Sequence, residues 1–509
     1  MASGEAATKR DGEAGWLSAG GLLKAGGIAG ALVALAGIAR ARRRAGKDYG
    51  SYTGWENVYE GGSQFFNRKS FAVDRPTYQV VGPTARLDRR TEVIIIRDAL
   101  LGNLMKLPYF MMYGNPPPAG APVWQEEDAV EKLPEPLASF YQANPRTLKA
   151  DLHRLKVLMP KQAENRKQYD YRFGLAMAYA GAFQDTLRYP PEPDTPPEVW
   201  DFAGVRKDPL LFKTRGHAAQ LVKKMAHLFG ATLVGITKLN PDWVWQYNVR
   251  GGQPGPYDVP AWWEYAIVIG NPMEWDAFHA NPTYGTSFDA YSRTRIAAHR
   301  LSAFIRLLGY PARFHAPPSS YDLCVPPIAI DAGLGQQGRH GVLITPELGP
   351  NVRPAVITTS LQMTVDSPVD FGVGRFCSRC KICAQKCPSG AISFAGEPND
   401  VVRGYRKWQI NYEACFGFWA TKVGVFGCRI CIAVCPYARK NDWVHAAARS
   451  ASAHDPTGLA DSALVWMQEN LFGGPASRDY YPPPLGVNAS YGPAPEWLKI
   501  ERWFKGPAG

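Results

Sequence analysis

The apolar positions of this chain change their spacing from one stretch to the next. In TRGHAAQLVKKMAHLFGATLVGITKL they recur three and four residues apart, with Ala218, Leu221, Val222, Met225 and Leu228 on one face. That spacing predicts an amphipathic helix. YAIVIG, residues 265–270, is an unbroken apolar run of strand length and predicts a buried strand. AYSRTRIAAHRLSAFIRLLGY predicts a long amphipathic helix closed by Gly309. PPIAI reads as a strand entering the glycine-rich turn DAGLGQQGRHG, and VLITPELGP and AVITTSLQM read as further strands. The alternation predicts an α/β domain over residues 191–370.

The flanks read differently. Region 48–190 is mixed, and its proline clusters NPPPAGAP and RYPPEPDTPPEVW mark loops or boundaries. Segment 446–509 reads as loop-rich and aromatic after Ser450. Near the start, residues 25–39 are apolar, and the stretch extends back to Trp16 if Lys24 is tolerated. A spanning helix needs about 20 such residues. Arg40, Arg42, Arg43, Arg44 and Lys47 follow, which would keep the main body cytoplasmic. No twin-arginine export motif precedes the run. Residues 1–47 are therefore expected to anchor the chain in a membrane or lie on its surface.

A chain of 509 residues implies two or three modules. The formal charge of +12 is diffuse beyond the arginine cluster, with no basic motif interleaved with aromatics, so no nucleic-acid partner is expected. Such charge can instead steer an acidic redox partner or face anionic lipid.

The cysteines carry the chemistry. FCSRCKICAQKCPSG holds an uninterrupted C-x2-C-x2-C-x3-C-P run in Cys377, Cys380, Cys383 and Cys387. Three thiolates of such a run serve one iron–sulfur cubane, and the fourth reaches a second. The partner set is CFGFWATKVGVFGCRICIAVCP, where Cys428, Cys431 and Cys435 keep the close spacing while Cys415 stands thirteen residues upstream of Cys428. Exchange of the fourth ligands puts Cys377, Cys380, Cys383 and Cys435 on one cluster, and Cys415, Cys428, Cys431 and Cys387 on the other. The module is expected over residues 371–445. Zinc is the weaker reading, since a structural zinc site closes on four ligands without trading any between sets. Disulfides belong to small secreted chains and do not suit this spacing. Cys324, left over, reads as a small buried hydrophobe.

The series AYSRTRIAAHRLSAFIRLLGYPAR, IAIDAGLGQQGRHGVLITPELGPNVR and VDFGVGRFCSRCKICAQKCPSGAIS resembles the corrinoid-dependent reductive dehalogenases. FAVDRPTYQVVGPTARLDRR is similar to that family's N-terminal segment, and the remote first cysteine of the second set is a habit of these enzymes. The resemblance implies a nitroreductase-like α/β domain that binds base-off cobalamin, followed by a ferredoxin-like module with two 4Fe–4S clusters. It implies electrons passing through the clusters to cobalt, and replacement of halogen by hydrogen on an organohalide. Reduced ferredoxin, flavodoxin or a membrane donor would supply those electrons.

It also implies residue roles. Tyr291 matches the family's proton donor, and Arg353, in GPNVR, matches the arginine that stabilises its phenolate. Ser320 aligns where an asparagine or lysine often orients the tyrosine; a hydroxyl there offers less charge stabilisation. Gly333, Gly335 and Gly338 allow either close approach to a flat ligand or simply a tight turn. Arg339 and His340 could touch corrin side chains. Trp262, Trp263, Trp275 and Phe288 suggest an aromatic-lined cavity. DLHRLK lacks the glycine of a corrinoid motif carrying a histidine ligand, so His153 reads as an ordinary helix residue. The rivals are an epoxyqueuosine reductase acting on tRNA, a membrane-tethered electron carrier and a corrinoid-trafficking module. A carrier needs neither Tyr291 nor Arg353.

Overall fold

A computed structural model describes residues 71–80, 137–153, 205–244, 247–250, 253–256, 259–273, 286–316, 323–402, 405–411, 414–415, 418, 429–438 and 443–470. The expected anchor at 1–47, Trp275, Ser320 and Cys428 lie outside them. Among the described residues no helix is long and apolar enough to cross a membrane.

Helix α1 (Arg215–Leu228) is opened by Thr214, whose hydroxyl accepts the His217 N–H at 3.0 Å. Its buried stripe is Ala218, Ala219, Val222 and Ala226, rotated from the expected face, and Leu228 is 54% exposed. Small alanines let the helix lie close to the sheet it covers, and Leu228, at the helix end, falls outside the contact. Strand β1 (Leu233–Lys238) follows, then β2 (Tyr265–Asn271), which is buried throughout. Helix α2 (Thr286–Leu307) ends before Gly309, whose φ of 98° suits glycine and whose place beside Pro209 would admit no Cβ.

After β3 (Ala312–His315) the chain departs from expectation. The PPIAI stretch forms helix α3 (Val325–Asp331), not a strand. Its prolines occupy the first turn, where the missing N–H costs nothing. VLITPELGP contributes only the two-residue strand Leu343–Ile344, while AVITTSLQM supplies most of β4 (Arg353–Thr359).

These four strands form an antiparallel sheet in the order β1-β2-β4-β3. Side chains alternate across it. Ile236, Ile267, Ile269 and Ile357 pack with Ala218, Val222, Ala297 and Leu301 of the helices on one face. Leu233, Ala266, Val268 and Val356 pack with Trp243, Trp263, Ile328 and Ile330 on the other. Two covered faces explain why the strands read as unbroken apolar runs.

The second half is made of short pieces: α4 (Val373–Arg379), α5 (Ile382–Gln385) and α6 (Ile430–Ala433), then α7 (Trp443–His454) and α8 (Leu459–Asn470). Helix α8 corrects the loop-rich reading of this segment. It is started by Asp455, which accepts the N–H groups of Thr457 and Ala460, and by Gly458 at φ 74°. Its fully buried Asp461 takes Arg375 of α4 at 2.7 Å, which pins it to the cysteine region.

Candidate functional site

Short helices bring the thiols inward. Cys377 and Cys380 end α4, Cys383 sits in α5, Cys387 follows it, and Cys431 and Cys435 flank the end of α6. Cys377, Cys380, Cys383, Cys387 and Cys435 are buried, Cys415 and Cys431 are half-buried, and none forms a disulfide. Burial pushes Cys377 up to about 11 and Cys380 and Cys431 up to about 12. Beyond burial, Cys383 is raised by its neighbours Cys377, Cys380 and Cys435, with a smaller contribution from Cys431. Cys431 in turn responds to Cys415 and Cys387. Each cysteine run thus lies close to a cysteine of the other, Cys383 to Cys435 and Cys431 to Cys387. Among the described residues no three His, Cys, Asp or Glu side chains are placed to hold a single metal ion. Cys324 is half-buried against the opposite core.

The glycine-rich turn joins the two halves of the molecule. A Cβ on Gly333 would meet the Ser367 carbonyl oxygen at 2.3 Å, and one on Gly335 would meet that of Ile344 at 2.0 Å. On Gly338 it would meet Ile344 and His340 side chains at 2.7 and 2.8 Å. These glycines admit the chain's own atoms, so the tight-turn reading fits them. Gln336 accepts the Phe371 and Val373 N–H groups at the start of α4. Arg339 is fully buried, and its side chain turns to the cysteine loop. It donates to the carbonyls of Cys377, Cys380, Ser393 and Ala395. His340 is buried and pushed down to about 4, so its ring is neutral at pH 7. Its Nδ1 accepts from Val342 N–H at 3.2 Å, which leaves the proton on Nε2, an atom with no partner.

Tyr291 and Arg353 come together although 62 residues separate them. Thr294 of α2 donates to the carbonyls of Ala290 and Arg353, seating the helix on the start of β4. The Arg353 guanidinium then lies 5.6 Å from the centre of the half-buried Tyr291 ring. Arg353 is 7% exposed, and burial pushes it down to about 10, which still leaves it charged at neutral pH. Its partners are the Ser287 hydroxyl, at 3.3 and 3.4 Å, and the Val352 carbonyl at 3.1 Å. A guanidinium has five N–H groups, so donors remain.

Two neighbours went unnoticed in the sequence. Ser287, one helical turn before Tyr291, also accepts from Arg429 at 2.5 Å. Arg429 stands two residues before Cys431 and is the one described non-glycine residue with positive φ, 58°. Strained backbone of this kind collects at functional sites. The i,i+4 spacing of Ser287 and Tyr291 and the arginine inside GCRIC were the available signals. The aromatic cavity expectation divides: Trp262 is 55% exposed, Trp263 is a core residue beneath Arg313, and Phe288 packs against the cysteine core. His153 is an exposed residue closing its helix (Pro145–His153).

Against known proteins, the 4Fe-4S dicluster domain family matches residues 376–438. A tetrachloroethene reductive dehalogenase of Sulfurospirillum multivorans is 32% identical over 284 residues, 49% of this chain and 56% of that protein. Over that stretch the chain is similar to the reductive dehalogenases. It spans about half the length of the curated reductive dehalogenases it matches. A solved catabolic reductive dehalogenase, NpRdhA, shares its fold at a TM-score of 0.56 and 22% identity, over 82% of this chain and 50% of that one. An epoxyqueuosine reductase of Lactococcus garvieae matches only 22% of this chain, at 29% identity, and 30% of its own length.

Proposed function

We propose that this chain is a reductive dehalogenase that uses two 4Fe–4S clusters and cobalamin to replace a halogen of an organohalide by hydrogen. The observation that carries the reading is Arg353 held over the Tyr291 ring, with Arg429 joining it through Ser287 beside Cys431. An electron carrier has no use for such a pair next to its cysteines.

Two groups of thiols fit two cubanes. Cys377, Cys380, Cys383 and Cys435 hold one, and Cys387, Cys415, Cys431 and Cys428 the other. Ligation must remove the protons that burial now favours on these thiols. His340 fits a corrin in a nitroreductase-like domain, because its buried Nε2–H needs an acceptor and a corrin side-chain amide offers one. Cobalamin, when bound, supplies the two electrons that break the carbon–halogen bond. The overall change takes two electrons and one proton, and releases halide.

This chain's own residues handle the proton. The Tyr291 hydroxyl gives its proton to the carbon left by the halide, and the charge of Arg353 stabilises the phenolate that remains. Ser287 orients Arg353. Ser320 completes the set as a weak orienting hydroxyl. The substrate is a small organohalide and the donor a reduced ferredoxin, a flavodoxin or a membrane protein. Residues 1–47 attach the chain to a membrane; deleting them should release it to the soluble fraction with its iron and cobalt content intact.

The test is to reconstitute the chain anaerobically, measure iron, sulfide and cobalt, and assay halide release with a strong reductant. Full iron and cobalt loading with no halide released from a panel of organohalides would defeat the dehalogenase reading.

A further inference from the structure

Arg339 is completely buried, and none of its partners is a carboxylate. Its donors end on four carbonyl oxygens, and its guanidinium lies 5.0 Å from the centre of the Trp408 ring. A guanidinium cannot shed its charge in a protein, and a buried charge is costly unless an opposite one matches it. Carbonyl dipoles solvate the charge without neutralising it. Asp461, the fully buried acid of this half, is already held by Arg375 and Ser452. Two of the carbonyls that Arg339 grips belong to Cys377 and Cys380 themselves.

We infer that the missing counter-charge is the iron–sulfur cluster held by Cys377, Cys380 and Cys383, and that Arg339 is a positioning residue that raises this cluster's reduction potential. The inference rests on the two-cluster reading above. Four thiolates leave a cubane net negative, and accepting an electron adds one more negative charge. A fixed cation beside the ligand loop stabilises the reduced form more than the oxidised one. Hydrogen bonding and charge around the sulfurs are the levers by which a protein sets such potentials. The same side chain spans the joint with the sheet half, so the cluster's potential and its position are set by one residue.

The test is an anaerobic redox titration of the reconstituted full chain followed by EPR, comparing the parent with Arg339→Lys and Arg339→Met. The signal of the other cluster is identified by its loss in Cys415→Ser. At the parent's midpoint for the Cys377 cluster, Arg339→Met should lower the ratio of reduced to oxidised cluster at least about tenfold, equivalent to about 59 mV for one electron. Arg339→Lys keeps the charge and should stay within about threefold of the parent. The other cluster should move less than this one in either variant. A Met variant that fails to hold this cluster, while the Lys variant holds it at the parental potential, also supports a need for the charge. Equal midpoints in all three proteins, a Lys shift as large as the Met shift, or loss of the cluster from both variants would overturn the inference. A parent showing no cubane signals would instead remove the two-cluster reading on which it stands.

Discussion

The sheet half and the cysteine half of this chain are built on opposite terms. In the sheet half, a strand buried along its whole length pairs with neighbours on both sides, and apolar side chains cover both faces. In the cysteine half, α4, α5 and α6 are seven, four and four residues long. Helices of that length are not stable by themselves. Their core contains thiols that burial keeps protonated. The first half closes mainly on apolar side chains over a paired sheet. The second is a set of ligands on short supports, and it depends on what the ligands bind.

Four substitutions test that division. The largest effect should come from Tyr291→Phe, which keeps the ring and removes only the acid. Halide release should fall by about 10²–10⁴, the usual worth of a positioned general acid, with iron and cobalt content unchanged. Undiminished release would detach the sheet half from the chemistry. Next is Ile267→Ala at the centre of β2, where Ile236 and Ile357 are its direct cross-strand partners. Denaturant unfolding should show a loss of about 2–5 kcal/mol, with the iron per folded chain constant. Iron lost in step with that stability would mean that the halves do not fold independently.

Cys415→Ser should do the reverse, removing about half of the iron and one EPR signal while leaving sheet unfolding in place. Loss of both signals, or of neither, would contradict the ligand grouping. The smallest effect belongs to Thr214→Ala, which deprives α1 of its cap. A stability loss of about 1 kcal/mol is expected, confined to the sheet half.

The same contrast explains what was legible in the sequence. The YAIVIG strand, the long helix before Gly309 and the close-set cysteines all announce themselves by spacing. PPIAI did not, because a short apolar run fits a strand or a buried helix, and the deciding clue was the prolines' place in a first turn. Helix α8 was obscured by the proline-rich tail beyond it. Within the site, Tyr291 and Arg353 could be matched to a family pattern, but their approach depends on how Thr294 seats α2 on β4. Ser287 and Arg429 had only weak signals, a helical-turn spacing to Tyr291 and a place inside GCRIC. Arg339 stood out in the sequence only as a basic residue after a glycine turn. Its actual partners are carbonyls far along the chain, and no local pattern encodes those.

The turn from Gly333 to Gly341 bears on how such proteins could be recombined. Gln336 reaches two backbone N–H groups at the start of α4, Gln337 takes the Tyr405 hydroxyl, and Arg339 grips the cysteine loop. A chimera cut cleanly between sheet and cysteines would leave these three side chains on the recipient, facing a foreign donor module. Grafts that carry residues 333–341 along with the cysteines should assemble, and grafts that split them should not. Because β4 lies in the chain between that turn and the cysteines, such a graft must also bring the strand that pairs with β2 and β3.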